Sequence, residues 1–192
     1  MGCGLRSDGE SKRAMPGTPQ SAVRPGQRGP RRPRTRYARQ LEEKQNLKKI
    51  FGVRERQLKR YYSEAQSARQ ETGLILVQLL ERRLDNALYR AGLAVNRPQA
   101  RQMASHRLFM VNGRSVDVPS LRLSIGDEVR VKESKQKKSY FTNFAKRMQN
   151  VSQSAWLELD VKNFAFKVVA EPTAAEARLG VDIQAVVELL SH

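Results

Sequence analysis

Apolar positions recur at helical spacing through the first half of the chain. Leu41, Leu47, Ile50 and Phe51 form one stripe, and Leu58, Tyr61, Tyr62 and Ala65 a second. Residues 38–68 are therefore expected as helix, broken near Gly52. Leu76, Leu80, Leu84, Ala87, Leu88 and Ala91 mark a further helix over about 73–91, with Thr72 as N-cap, Gly92 as its stop and Leu93 placed to pack back. Asn96 is suited to cap a shorter helix running to about Ser105, with Pro98 in its first turn, where a proline is tolerated. Beyond it the pattern changes. Asn112-Gly113 separates two short apolar runs within 108–116 and predicts a hairpin. Ile125, Val129 and Val131 keep the odd spacing of a strand over Ile125–Val131, with Gly126-Asp127 as its turn. Phe141, Phe144 and Met148 return to helical spacing, and Trp156, Leu157, Leu159 and Val161 read as a strand packing one face, Trp156 in the core rather than as a stacking platform for a base. Two helices and a small antiparallel sheet after a helical first part make the fold class α+β.

Charge adds a partner to this picture. The 192 residues carry 36 Lys+Arg against 19 Asp+Glu, a net charge of +17. So large an excess calls for a polyanion. It is uneven: +12 over residues 1–70, +3 over 71–133, +5 over 134–150 and −3 over 151–192. The densest segment is RPGQRGPRRPRTRYAR, residues 24–39, with Arg24, Arg28, Arg31, Arg32, Arg34, Arg36 and Arg39 and no acid. Pro25, Pro30 and Pro33 disfavour a helix there and predict an extended arm. Guanidinium forks on such an arm suit phosphate. Lys44, Lys48 and Lys49 flank the first helical stripe, and Arg54, Arg56, Lys59 and Arg60 the second. Apolar on one side and basic on the other suits a helix facing nucleic acid; a solubilising surface with pairs such as Glu55–Lys59 is the plainer alternative. Arg97, Arg101 and Ser105 share one helix face, and Arg83, Arg107 and Arg114 are available to the same surface. Lys135, Lys137 and Lys138, among Tyr140, Phe141 and Phe144, are expected to turn lysines to phosphate and aromatics inward.

Several classes drop out. No run approaches 18 apolar residues, so no membrane span is expected. One cysteine, Cys3, and two distant histidines, His106 and His192, make neither a disulfide framework nor a zinc site. Residues 1–23 lack a signal peptide's apolar stretch, contain Asp8 and Glu10 unlike a transit peptide, and place Arg6 where myristoylation wants Ser or Thr. They are expected as a disordered tail on a cytoplasmic protein. No nucleophile–base pair, phosphate loop or carboxylate cluster is present, and Asp85, Asp117 and Asp127 stand singly, so neither an enzyme, a cofactor nor a small-molecule substrate is expected. His106 is open at this level between a core residue and a polar contact.

RLDNALYRAGLAVNRPQARQMASH (83–106) followed by FMVNGRSVDVPSLRLSIGDEV (109–129) resembles the S-four RNA-binding motif. RPGQRGPRRPR (24–34), EKQNLKKIFGVRERQLKRYY (43–62), WLELD (156–160) and DIQAVVELLS (182–191) extend the resemblance to the bacterial small-subunit ribosomal proteins of the S-four family, over roughly residues 24–192. It implies an arm and helical N-terminal domain over 24–80, an inserted RNA-binding domain over 81–146, and remaining sheet with a C-terminal segment over 147–192 that returns to the N-terminal helices. It implies binding of small-subunit ribosomal RNA at the five-way junction of the 5′ domain, where assembly starts. Arg24, Arg28, Arg32, Arg36, Arg39, Lys44, Lys48, Arg54, Arg56, Arg60, Arg83, Arg97, Gln99, Arg101, Gln102, Ser105, His106, Arg107, Asn112, Gly113, Lys135, Lys137 and Lys138 would meet that RNA. Arg31 and Arg34 match arginines at the channel through which messenger RNA enters. The neighbouring S-five-type protein would be a partner, with a share in decoding accuracy. Departures are Arg28 where the family usually has His, the turn 105–108 without its frequent glycine, Gln184-Ala185 in place of Asn-Glu, and a shortened N-terminal domain without the zinc cysteines. A pseudouridine synthase carrying the same motif would need a catalytic domain after it, and residues 134–192 are too few. A free-standing RNA-binding quality-control factor would not need the flanking motifs.

Overall fold

A computed structural model describes residues 35–137, 141, 154–173 and 179–191. The expectations for residues 1–34, Lys138, Tyr140, Phe144 and Met148 lie outside them.

The two basic stripes form two helices. α1 (Arg36–Phe51) starts behind Thr35, whose hydroxyl accepts from the Ala38 amide, and stops at Gly52, left-handed at φ +60°. α2 is Glu55–Gln66. Arg36 and Arg39, expected in the extended arm, are helical instead: the Thr35 cap restarts the chain just past Pro33, and a proline restricts only its immediate neighbours. The helix expected over about 73–91 is two, α3 (Thr72–Glu81) and α4 (Leu84–Arg90), and Glu71, not Thr72, is the N-cap. The break has a backbone cause. Arg83 is extended and bridges Arg122, while Leu84 and Asp85 donate to the carbonyls of Leu121 and Pro119 and Leu123 donates to that of Arg82. Those bonds replace the helical ladder for one turn. α6 (Ile183–Ser191) returns to α1, where Glu188 accepts from Arg36 and Gln40 at 2.8 Å. Leu47, Phe51, Leu58, Leu76, Leu80 and Val186 form the core of this helical part.

The second core lies between α4, α5 (Arg97–Ser105) and a five-stranded antiparallel sheet, as the sequence pattern predicts in outline. The strands are β1 (Phe109–Val111), β2 (Arg114–Val116), β3 (Glu128–Val131), β4 (Leu157–Asp160) and β5 (Ala165–Val168), in the order β2-β1-β3-β5-β4. The expected strand Ile125–Val131 is shorter, because Gly126 turns at φ +93° and leaves Ile125 exposed. Register puts Val129 opposite Phe166 and Leu157 opposite Val168, so one face is continuously apolar against Leu84, Leu88, Ala100 and Met103. A slip of one residue would turn that face to water. Trp156 is fully buried beside β4, and Phe141 packs edge-on against Phe109 and Phe164. No described helix is long and apolar enough to cross a membrane.

Candidate nucleic-acid interface

On α2 the apolar stripe Leu58, Tyr61, Tyr62 and Ala65 is buried as its spacing requires. Arg56, Lys59 and Arg60 fall on the opposite side, and with Arg54 they are all exposed. None of the four makes a side-chain hydrogen bond or ion pair with a described residue, which leaves four guanidinium and ammonium heads for an anion. The acids of this helix are engaged elsewhere. Glu55 accepts from Lys48 at 2.8 Å and Lys44 at 3.0 Å across the α1–α2 turn, and not from Lys59 as its spacing suggested. The Lys48 bond, followed by that of Lys44, holds the Glu55 carboxyl below its ordinary pKa. Glu64 takes both terminal guanidinium nitrogens of Arg122, and that bond, with a smaller contribution from the charge of Arg60, likewise lowers its pKa.

The basic face of α5 is built differently. Asn96 caps the helix by accepting from Gln99 N at 2.8 Å, and the Gln99 side chain accepts from Val95 N in return. Arg97 then lies over the rings of Tyr89 and Phe51, 4.6 and 5.1 Å from their centres, and donates to Asn86 Oδ1 at 2.7 Å. Burial lowers its pKa, against the opposing charge of Glu81. Arg101 donates from Nη1 to the Gly52 carbonyl at 2.6 Å, and its Nε is 3.6 Å from Asp85. Glu81, 1% exposed, accepts from Asn86 and twice from Arg90. A cleft of about 170 Å³ remains between Lys49, Phe51, Gly52, Asp85, Arg97, Pro98 and Arg101.

Arg83, expected on the RNA-facing surface, is a correction. It is 1% exposed and gives Asp85 two bonds of 3.0 and 2.6 Å and the Tyr61 hydroxyl one of 2.9 Å. Burial works against its charge, but Asp85 and Tyr61 outweigh burial and raise its pKa. Arg83 sits at the helix break, as the N-cap residue of α4. Gln102, Ser105 and His106 are exposed on the outer edge of α5, so His106 is no core residue, and the Ser105 hydroxyl donates to the Arg101 carbonyl. Arg107 is left-handed at φ +56°, in the turn where the expected glycine is missing, and donates to Asp117 at 2.6 and 2.9 Å. Asn112 and Gly113, at φ +49° and +78°, form the hairpin turn, and Asn112 bonds Asp127 and Glu128 N at the neighbouring turn. Arg114 and Lys137 are exposed, and Lys135 is half-buried. Arg36 and Arg39 pair with Glu188 and Asp182 of the α6 region.

Sequence reasoning missed the acids and acceptors that sort these cations: Glu81, Glu64, Asn86 and the Gly52 carbonyl. The one available signal was the four-residue spacing of Glu81 and Asp85 around Arg82 and Arg83. Among the described residues no group of three or more His, Cys, Asp or Glu side chains is placed to hold a metal ion.

Two family models match the chain. The S4 domain covers residues 82–129, and the Ribosomal protein S4/S9 N-terminal domain covers residues 4–81, starting well ahead of the motif at Arg24. Their boundary falls at the α3–α4 break. The small ribosomal subunit protein uS4 of Persephonella marina is 44% identical over 156 residues, 81% of this chain and 76% of that protein. That of a Sulfurihydrogenibium species is 43% identical over 171 residues, 87% and 84% of the two chains. That of Herpetosiphon aurantiacus is 41% identical over 173 residues, 88% and 82%.

Proposed function

The chain belongs to the uS4 family of small-subunit ribosomal proteins, and from that premise we propose that it is a structural, non-catalytic constituent of the small subunit that binds ribosomal RNA at the five-way junction of the 5′ domain and starts assembly there. The observation that carries this is the unpaired cation row Arg54, Arg56, Lys59 and Arg60 on a helix whose other side is core. Such a row neutralises phosphates, and releasing their condensed counterions supplies much of the affinity. Double-helical RNA hides its base edges in a deep groove, so recognition follows the shape of the junction. Gln102, His106, Arg107 and Arg114 extend the surface from the second core, and Lys135 and Lys137 from the end of β3. Arg24, Arg28, Arg32 and Lys138 are further contacts by family position. Arg31 and Arg34 act by the same criterion on incoming messenger RNA, and an S-five-type neighbour and a share in accuracy complete the reading. The match over residues 4–81 favours this over a free-standing RNA-binding factor.

The test is binding of the full chain to an RNA fragment holding the intact junction and to one lacking an arm. The intact junction should be strongly preferred. With about 6–10 phosphates neutralised, affinity should fall about 10³–10⁵-fold from 50 to 200 mM salt. Equal binding to both fragments, or binding indifferent to salt, overturns the reading.

A further inference from the structure

We infer that Arg97 and Arg101 act in RNA binding as positioning residues that fasten α5 to the α1–α2 turn, and not as phosphate contacts. The inference rests on the RNA-binding reading above and changes the role of two residues within it.

Each arginine already spends a hydrogen bond and an ion pair inside the protein. Arg97 lies over two aromatic faces with Asn86 on its Nε and Glu81 4.0 Å from Nη2. A phosphate reaching it would meet a side chain that is 19% exposed and would lie near Glu81 and Asp85, carboxylates that are 1% and 4% exposed. Arg101 is more open, but its shortest bond goes to a main-chain oxygen of the other core, Gly52 O at 2.6 Å. Gly52 is where α1 ends and the chain turns towards α2, so whatever holds its carbonyl sets where the α2 cation row points. The left-handed φ of +60° aims that carbonyl, and a Cβ at Gly52 would come within 3.1 Å of Arg101 Nη1, so arginine and backbone are in direct contact. The far side of α2 is held in the same manner, with Tyr61 accepting from Arg83 and Glu64 from Arg122. Four arginines of the second core therefore reach into the helical part, and Arg54, Arg56, Lys59 and Arg60 stay exposed beside them. A joint of this kind lets both surfaces meet the RNA without an ordering cost at the moment of binding.

The experiment uses the full chain and the junction fragment over a salt series, with Arg60→Ala as a phosphate-contact reference. A second readout is the distance distribution between spin labels at Ser63→Cys and Ser115→Cys, with Cys3→Ser in the background. Arg60→Ala should flatten the dependence of log affinity on log salt by about one unit and leave the distance distribution narrow. Arg101→Ala should weaken binding about tenfold, keep the wild-type salt slope and broaden the distribution. Arg101→Lys keeps a donor for Gly52 O and should recover the narrow distribution and most of the affinity. The inference is overturned if Arg101→Ala flattens the slope as Arg60→Ala does while the distribution stays narrow. It is overturned equally if a folded Arg101→Lys shows a broad distribution with affinity unchanged. Failure of the wild-type chain to prefer the intact junction would instead sink the functional reading, and the spin-label distances would still report on the joint.

Discussion

α2 and α5 carry the same signal in the sequence, cations at helical spacing beside an apolar stripe, and the fold uses them in opposite ways. Arg56, Lys59 and Arg60 stand in solvent because the acids near them are claimed by other partners: Glu55 by Lys44 and Lys48, Glu64 by Arg122. Arg97 and Arg101 are drawn inward because Glu81 and Asp85 sit buried under their helix and the Phe51 and Tyr89 rings offer a second surface. On these two helices the basic stripe is left open to an anion only where the nearby acids are spent elsewhere. Charge difference along the sequence does not show which case applies; the position of the acids in space does.

The largest expected effect tests the buried side of this comparison. Asp85→Ala leaves the Arg83 guanidinium without its carboxylate at 1% exposure, with the Tyr61 hydroxyl as its remaining described partner. Removing one half of a buried pair costs about 3–5 kcal/mol. The urea midpoint should drop accordingly with the slope of the transition unchanged. A loss below about 1 kcal/mol would mean that water reaches Arg83 and that the two helices differ less than their burial suggests.

What could be read beforehand follows the range of the forces involved. The α1–α2 break, the Asn96 cap and the Asn112-Gly113 turn are local decisions, and each is found where the sequence placed it. The α3–α4 break was not legible, because residues 119–123 impose it from across the second core. The burial of Arg83 was not legible for the same reason, because the Tyr61 hydroxyl that accepts from it lies 22 residues away and meets it only in the folded chain. β5 was missed for a related reason: AFKV is four residues long, and only its place between β3 and β4 makes it a strand. The exposed cations of α2 were legible because an amphipathic helix fixes both its faces at once. The roles of Arg97 and Arg101 depend on Glu81, Asp85 and Gly52, which come together only in the folded chain.

A smaller effect lies on the exposed side. Glu55 has its pKa depressed by Lys48 and then Lys44, so the stability it contributes is present above its unfolded pKa and disappears as pH falls through the folded one. Unfolding followed from neutral pH to below the carboxylate range should show this loss. Glu55→Gln should remove that part of the pH dependence and cost no more than about 1 kcal/mol at neutral pH, since the carboxyl is partly exposed and solvent screens the pair. An unaltered acid profile in the variant would place the pH dependence in other carboxylates.

The smallest effect gives the closest control for Asp85. Arg107 and Asp117 approach to 2.6 Å, as Arg83 and Asp85 do, but their side chains are 68% and 43% exposed against 1% and 6%. Arg107 also holds a left-handed φ that favours glycine. In Arg107→Gly, relief of that strain is offset by the greater freedom glycine has in the unfolded chain, and the exposed ion pair adds little to either side. Stability should therefore stay within about 1 kcal/mol of the parent. The salt dependence of RNA binding should flatten by about one unit, because the lost charge faces solvent. The two arginine–aspartate pairs would then separate cleanly, one holding the fold and one serving the surface, at the same contact distance. A large loss of stability in Arg107→Gly would show that the pair itself fixes the turn after α5, and that exposure alone does not sort the arginines of this chain.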